Sequence, residues 1–281
     1  MPFPTKSVIR SLGIRPRKSC GQNFLIDAAI AEKTVAQAEI GAEDCVIEIG
    51  PGPGALTCFI AQQAACLHCF EIDRQLCAQL AEEYPAENVL LYNQDILQAD
   101  FASLRPSEGS MILMGSIPYN ITSRIVLKFF STASLFRSAV LIVQKEFAQR
   151  LCAPSGGRDY GILSVLAQAY APPRYLFTIP DTCFYPQPDV DSAAIMLVPD
   201  KSRDWMEARE VFFQNVVRAA FSTRRKKLKN CLKGFLGDDP AEAQAGLLSI
   251  GIDLDRRAET LTLEEFYVLA DFLKVLQSAE A

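Results

Sequence analysis

The chain has 281 residues, 49% of them hydrophobic and 22% charged, with 28 lysines and arginines against 33 aspartates and glutamates for a net charge of −5. That balance excludes a disordered or fibrous chain and argues against a protein wrapped over its whole surface by nucleic acid. The length suffices for one large core plus a small second domain. No apolar run approaches a membrane span and no apolar h-region follows the basic N-terminus, so a cytoplasmic protein without a membrane partner is expected. Nine cysteines at no framework spacing point to reduced thiols in a core rather than disulfides.

Residues 1–26 form a basic arm, in which Lys6, Arg10, Arg15, Arg17 and Lys18 precede the first acid, Asp27. Asp27 is placed to cap a helix running to about Ile40. Apolar runs then alternate with helical patterns. Strands are expected at Cys45–Ile49, Leu67–Ile72, Val89–Asn93, Met111–Gly115 and Ala139–Gln144, with helical segments ALTCFIAQQA, RQLCAQLAEEY and SRIVLKFF between them. Strands apolar on both faces in a βαβ rhythm read as an α/β fold with a doubly wound, mainly parallel sheet. After Pro172, RYLFTI and SAAIMLV suit two further strands joined by the proline-rich FYPQPDVDS. PDKSRD, residues 199–204, is the linker candidate. EVFFQNVVRAAF, RRKKLKNCLKGFL, AEAQAGLLSI and TLEEFYVLADFLKVL read as helices, which gives an α/β domain over 1–200 and a small helical domain over 201–281.

The first strand runs into VIEIGPGPGALT, where Gly50, Gly52 and Gly54 let the backbone approach a ligand ahead of a helix N-terminus. Glu71, about 20 residues on at the end of the second strand, is placed to accept hydrogen bonds from a ribose. Taken alone, this pair suits a dinucleotide as well as another adenosine cofactor. Glu48, just before the first glycine, favours a cationic amino-acid moiety over a pyrophosphate, and Asp95, ending the third strand, can accept from an adenine amine. The fourth strand ends in GSIPYNITS. Pro118 fixes its own φ and keeps Ile117 extended, so Ser116 to Tyr119 form a rigid corner.

Two further features bear on partners and metals. Arg218, Arg224, Arg225, Lys226, Lys227, Lys229 and Lys233 follow one another with no acid between them, a pattern that suits a phosphate-binding face on an acidic body. Cys66-Leu67-His68-Cys69 places the sole histidine inside a CxxC. Zinc needs more ligands at a matching spacing, and a redox pair opens a helix rather than a strand, so core packing and no metal are expected.

The order acid-x-Gly-x-Gly-x-Gly, acid, Asp and polar-x-Pro-aromatic resembles S-adenosylmethionine-dependent amino methyltransferases. GQNFLID, VIEIGPGPGALT, EID, NQDIL, IPYNITS, FYPQPDVDS and AFSTRRKKLKN, in that order over nearly the whole chain, narrow the resemblance to the KsgA/RsmA family of ribosomal RNA adenine dimethyltransferases. The resemblance implies a Rossmann-like class I methyltransferase domain with a seven-stranded, mainly parallel sheet and a small C-terminal α-helical domain. It implies S-adenosyl-L-methionine held by Gln22, Asn23, Leu25, Gly50, Glu71, Ile72, Asp95, Ile96 and Ser116. Ser116, Ile117, Pro118, Tyr119 and Phe184 are implied as the catalytic corner and its aromatic walls. The implied reaction is dimethylation of the N6 amines of two adjacent adenosines near the 3′ end of 16S ribosomal RNA, by a monomer acting on the small ribosomal subunit. Arg218, Arg224, Arg225, Lys226, Lys227 and Lys229 would bind that RNA. The family usually has Asn-Leu before the Pro-Tyr, and this chain has Ser116-Ile117; a serine hydroxyl is shorter and both donates and accepts. Erm-type enzymes acting on large-subunit RNA and non-enzymatic relatives of the transcription factor B type are the alternatives the same motifs allow.

Overall fold

The computed structural model describes residues 3–17, 21–85, 87–200 and 210–279. Lys18 of the basic arm and residues 201–204 of the expected linker lie outside the described residues. In chain order the elements are α1 (Lys6–Ser11), β1 (Phe24–Leu25), α2 (Ala28–Ala36), β2 (Cys45–Ile49), α3 (Thr57–Ile60), β3 (Cys66–Phe70), α4 (Arg74–Glu83), β4 (Val89–Tyr92), β5 (Met111–Ser116) and α5 (Thr122–Ser131). They continue with β6 (Phe136–Gln144), α6 (Lys145–Leu151), α7 (Ile162–Tyr170), β7 (Pro173–Ile179), β8 (Phe184–Tyr185), β9 (Ser192–Leu197), α8 (Glu210–Ala220), α9 (Leu228–Cys231), α10 (Pro240–Ser249) and α11 (Leu263–Ala279).

Residues 1–148 and 171–199 make one compact unit, and residues 149–170 and 200–281 a second. The first is built on a seven-stranded sheet in the order β4-β3-β2-β5-β6-β9-β7, parallel except for β9, which runs antiparallel to both neighbours. All five residues of β2 are buried, as a parallel strand covered on both faces requires. Val46, Leu67, Ile112, Met114, Val140 and Ile142 share one core with Ala31 and Val35 of α2 and Ile60. The sheet order reverses between β2 and β5, and in such folds the crevice beyond the carboxyl ends of those strands is where ligands bind. Gly115 at the end of β5 makes that junction possible, because a Cβ there would stand 2.6 Å from the carbonyl oxygen of Ile49.

Asp27 caps α2 as expected, its Oδ1 accepting from the Ile30 N–H at 3.0 Å. The helix stops at Ala36 rather than near Ile40, with Glu39 turned to a φ of 48°. In the second unit the expected helix RRKKLKNCLKGFL shrinks to α9 and a 3-10 turn, Lys233–Phe235. The N–H groups of Leu228 and Lys229 donate to Arg256 O and Leu254 O, which pins the start of α9, and on a continuous helix cations three and four residues apart, such as Lys226 and Arg225 with Lys229, would repel one another. Segment 149–170 groups with the C-terminal helices. Its helix α7 is ILSVLAQAY, almost entirely apolar and largely buried, so no polar stripe marks it in the sequence.

Candidate active site

A cavity open to solvent lies in the first unit at the reversal between β2 and β5. The glycine loop after β2 forms one wall. Gly50, Gly52 and Gly54 all have φ between +57° and +90°, the left-handed region that a side chain resists. A Cβ on Gly50 would meet nothing within 4 Å, so the loop backbone there faces open space. On Gly52 a Cβ would come within 3.0 Å of the Phe24 ring. The loop is therefore bare at Gly50 and closely packed against Phe24 at Gly52.

Two buried carboxylates stand against this loop. Glu71, 4% exposed, accepts from Gly52 N–H at 3.1 Å through Oε2 and from Asp73 N–H at 2.8 Å through Oε1. Each oxygen keeps a further lone pair for a hydroxyl donor. Burial raises its pKa against the lowering effect of these N–H bonds. Glu48, 1% exposed, accepts from Thr57 Oγ1 at 2.8 Å, and burial pushes its carboxyl up to about 7. Asp95 caps a 3-10 turn through Oδ1, accepting from Leu97 N–H at 2.9 Å, and lines the cavity together with buried Ile96. Ile72, which also lines the cavity, is 62% exposed, a large apolar side chain that the protein leaves mostly uncovered.

The corner after β5 contributes a further part of the lining. Ile117 N–H donates to Ile142 O at 2.9 Å, while Pro118 O accepts from Ile121 N–H and Thr122 Oγ1, so the turn is fixed from both ends. Ser116, Ile117, Pro118 and Tyr119 all line the cavity. Tyr119 Oη lies 2.9 Å from Oγ of Ser192, a fully buried residue at the start of β9. Phe184, 4% exposed, faces the same cavity from β8 and pairs in register with Leu25 of β1. Gln22 and Asn23 line it from the arm. The Gln22 amide accepts from Arg17 N–H at 2.7 Å and donates to Asp73 at 3.4 Å, and Asp73 also holds Arg17 Nε at 3.2 Å.

All thirteen residues assigned from the sequence to cofactor and catalysis thus border one space. Three further residues support the site: Asp73, Ser192 and Thr57. Asp73 was legible as a helix cap before RQLCAQL, a role it performs by accepting from Gln75 N–H. Ser192 and Thr57 act through partners 73 and 9 residues away, which no local pattern records.

The six cations assigned to RNA belong to the second unit. Residues 222–227 are an exposed turn. Arg224 reaches Glu259 at 3.9 Å and the Arg158 carbonyl, while Lys227 and Lys229 both reach Asp255, at 3.2 and 2.6 Å. Arg218 donates to Gln214 on α8. Acids 26 to 35 residues downstream therefore partly neutralise a run that has none within it.

A parallel sheet whose glycine loop, strand-end acids and polar-Pro-aromatic corner meet at the reversal point defines a Rossmann-like methyltransferase. Two solved structures share the fold: a dimethyladenosine transferase from Plasmodium falciparum, with a TM-score of 0.77 and 24% identity over 89% of this chain and 98% of that one, and the 23S rRNA methyltransferase ErmE, with a TM-score of 0.70 and 26% identity over 90% and 100%. Residues 13–274 match the ribosomal RNA adenine dimethylase family, and the chain belongs to it. Its relatives include the ribosomal RNA small subunit methyltransferase A of Moorella thermoacetica, 42% identical over 94% of this chain and 95% of that protein. That of Bacillus thuringiensis is 40% identical over 97% and 96%. The family resemblance and the seven-stranded sheet that it implied both hold.

Proposed function

We propose that the protein dimethylates the N6 amines of two adjacent adenosines in a hairpin near the 3′ end of 16S ribosomal RNA, acting on the small ribosomal subunit as a cytoplasmic monomer. The observation that carries this reading is that the corner Ser116–Tyr119 opens into the same cavity as the glycine loop and its acids.

The residues present fit S-adenosylmethionine. Gly50 offers bare backbone toward open space, Glu71 retains acceptor capacity for two ribose hydroxyls, Asp95 and Ile96 suit the adenine, with Ile72 covering it, and the buried Glu48 suits a cationic amino-acid end. Gln22, Asn23 and Leu25 close the methionine end. When bound, this cofactor supplies an electrophilic methyl group on a sulfonium. The chain's own residues must make a poor nucleophile attack it, because the lone pair of an adenine amine is delocalised into the ring. Ser116 Oγ and the Ile117 carbonyl accept the two amine hydrogens and favour a pyramidal nitrogen, a contribution of positioning and electrostatics. Pro118 fixes the carbonyl. Tyr119, held through Ser192, and Phe184 provide faces for a base taken out of its stack.

RNA contacts are proposed for Arg218, Arg224, Arg225, Lys226, Lys227 and Lys229. Incubation with labelled S-adenosylmethionine and unmodified small or large subunits, followed by mapping of the labelled nucleotide, tests the reading. Label on adjacent adenosines of small-subunit RNA supports it. Label on large-subunit RNA would make the protein an Erm-type enzyme, and no label on either would make it a binding protein.

A further inference from the structure

The N-terminal ends of the sheet strands, away from the cavity, carry a second cluster. Cys45 is the first residue of β2 and Cys66 the first of β3, and the two are direct neighbours in register. His68 lies two residues further along β3, on the face of Cys66, because side chains alternate along a strand. The two sulfurs and an imidazole nitrogen lie within 4.8 Å of one another. Cys69, which completes the CxxC of the sequence, is an odd step from Cys66 and turns to the other face, where its thiol approaches Glu48 at 3.6 Å. The spatial unit is two thiols from adjacent strands and one imidazole.

The ring is held in a definite orientation. His68 Nδ1 lies 2.9 Å from Tyr92 Oη, the two rings are stacked with centroids 5.7 Å apart, and Nε2 lies 3.3 Å from Cys66 Sγ. With Nδ1–H donating to Tyr92, Nε2 keeps its lone pair toward the thiol. Fixing one ring nitrogen by a hydrogen bond so that the other is presented is how proteins orient a ligating histidine. The 3.3 Å separation is already close to the edge, roughly 3.5 Å, of a tetrahedron built on metal–sulfur and metal–nitrogen bonds of about 2.3 and 2.0 Å.

We infer that Cys45, Cys66 and His68 form a binding site for one thiophilic divalent cation of the zinc type, with its fourth position open to solvent beside the half-buried Cys66. The cation displaces the two thiol protons to solvent and bonds to both thiolates and to Nε2. It joins β2 to β3 and, through Tyr92, braces β4. None of the three ligands lines the cavity, so methyl transfer does not require the cation.

The test uses reduced, metal-free, full-length protein titrated with cobalt(II), whose thiolate charge-transfer absorption reports sulfur ligation. Absorption should saturate at one equivalent per chain and be displaced by zinc. Cys66→Ser and His68→Asn should each weaken binding by at least about tenfold. Cys231→Ser, a thiol in the second unit, should leave it unchanged. Methyl transfer at the wild-type rate shows that the variants are folded. Absence of the absorption in the wild type, its survival at full strength in Cys66→Ser, or its loss in Cys231→Ser would each overturn the inference and leave Cys66 and His68 as a thiol–imidazole hydrogen bond.

Discussion

The cavity of the first unit and the basic turn of the second both gather ionisable side chains, by opposite means. In the cavity Glu48 and Glu71 are buried and held by Thr57 Oγ1 and by two backbone N–H groups. Residues 222–227 of the turn are exposed, and Arg224 and Lys227, with Lys229 just beyond in α9, answer to acids that are themselves partly exposed. Buried, fixed groups act at low effective dielectric and cannot be replaced by water, whereas exposed pairs are screened and worth little singly. One substitution should therefore disable the cavity, while the turn should weaken by increments.

The largest effect on binding is expected at Glu71. Glu71→Ala removes a charged acceptor worth about 1.5 to 3 kcal/mol, which is roughly ten- to 150-fold in affinity, and strands two buried N–H donors. Calorimetry should show S-adenosylmethionine binding weakened by that factor. Unchanged affinity in a folded variant would break the contrast between the two regions.

A second expectation concerns pH. Burial raises the Glu48 carboxyl from 4.5 to about 7, so the cation-attracting carboxylate forms only as pH rises through neutrality. The sign follows: a raised acid pKa means that ionisation costs folded-state stability between those two values, and binding a cation recovers it. Cofactor affinity should therefore fall as pH drops below about 7, by up to roughly tenfold per unit for one linked proton. Titrations at about pH 6 and pH 8 check this, and Glu48→Gln should flatten the dependence.

Smaller steps are expected from the turn. Arg225→Gln and Lys226→Gln should each reduce the salt slope of subunit binding by roughly 0.7 to 0.9 and leave cofactor affinity intact. Lys227→Gln and Lys229→Gln should reduce it by less, because Asp255 already engages both lysines. Equal effects at all four positions would show that Asp255 releases its partners on binding.

The same contrast explains what the sequence made legible. The glycine loop, the strand-end acids and the Ser-Ile-Pro-Tyr corner are contiguous motifs whose geometry is set within a few residues, and the structure places all of them around one space. The strands carrying them were readable because parallel strands buried on both faces are unbroken apolar runs. What was not legible depends on distant partners. The tail helix fails because residues 254–256 capture the start of α9, and the basic run is partly neutralised by Asp255 and Glu259. Cys66 finds its neighbour in Cys45 of the adjacent strand, not in Cys69. Ser192 meets Tyr119 only because β9 returns antiparallel beside β6.

The corner after β5 is expected to perform chemistry and not only to turn the chain. Single-turnover methyl transfer to unmodified small subunits by the wild type, Tyr119→Ala, Ser116→Ala and Ser116→Asn tests it most directly. Tyr119→Ala removes a stacking face worth about 1 to 3 kcal/mol, so transfer should fall by roughly five- to 150-fold while cofactor binding holds. Ser116→Ala should slow transfer by less, and Ser116→Asn should remain active. Alanine variants that are folded and as fast as the wild type would make Ser116 to Tyr119 a rigid turn and nothing more.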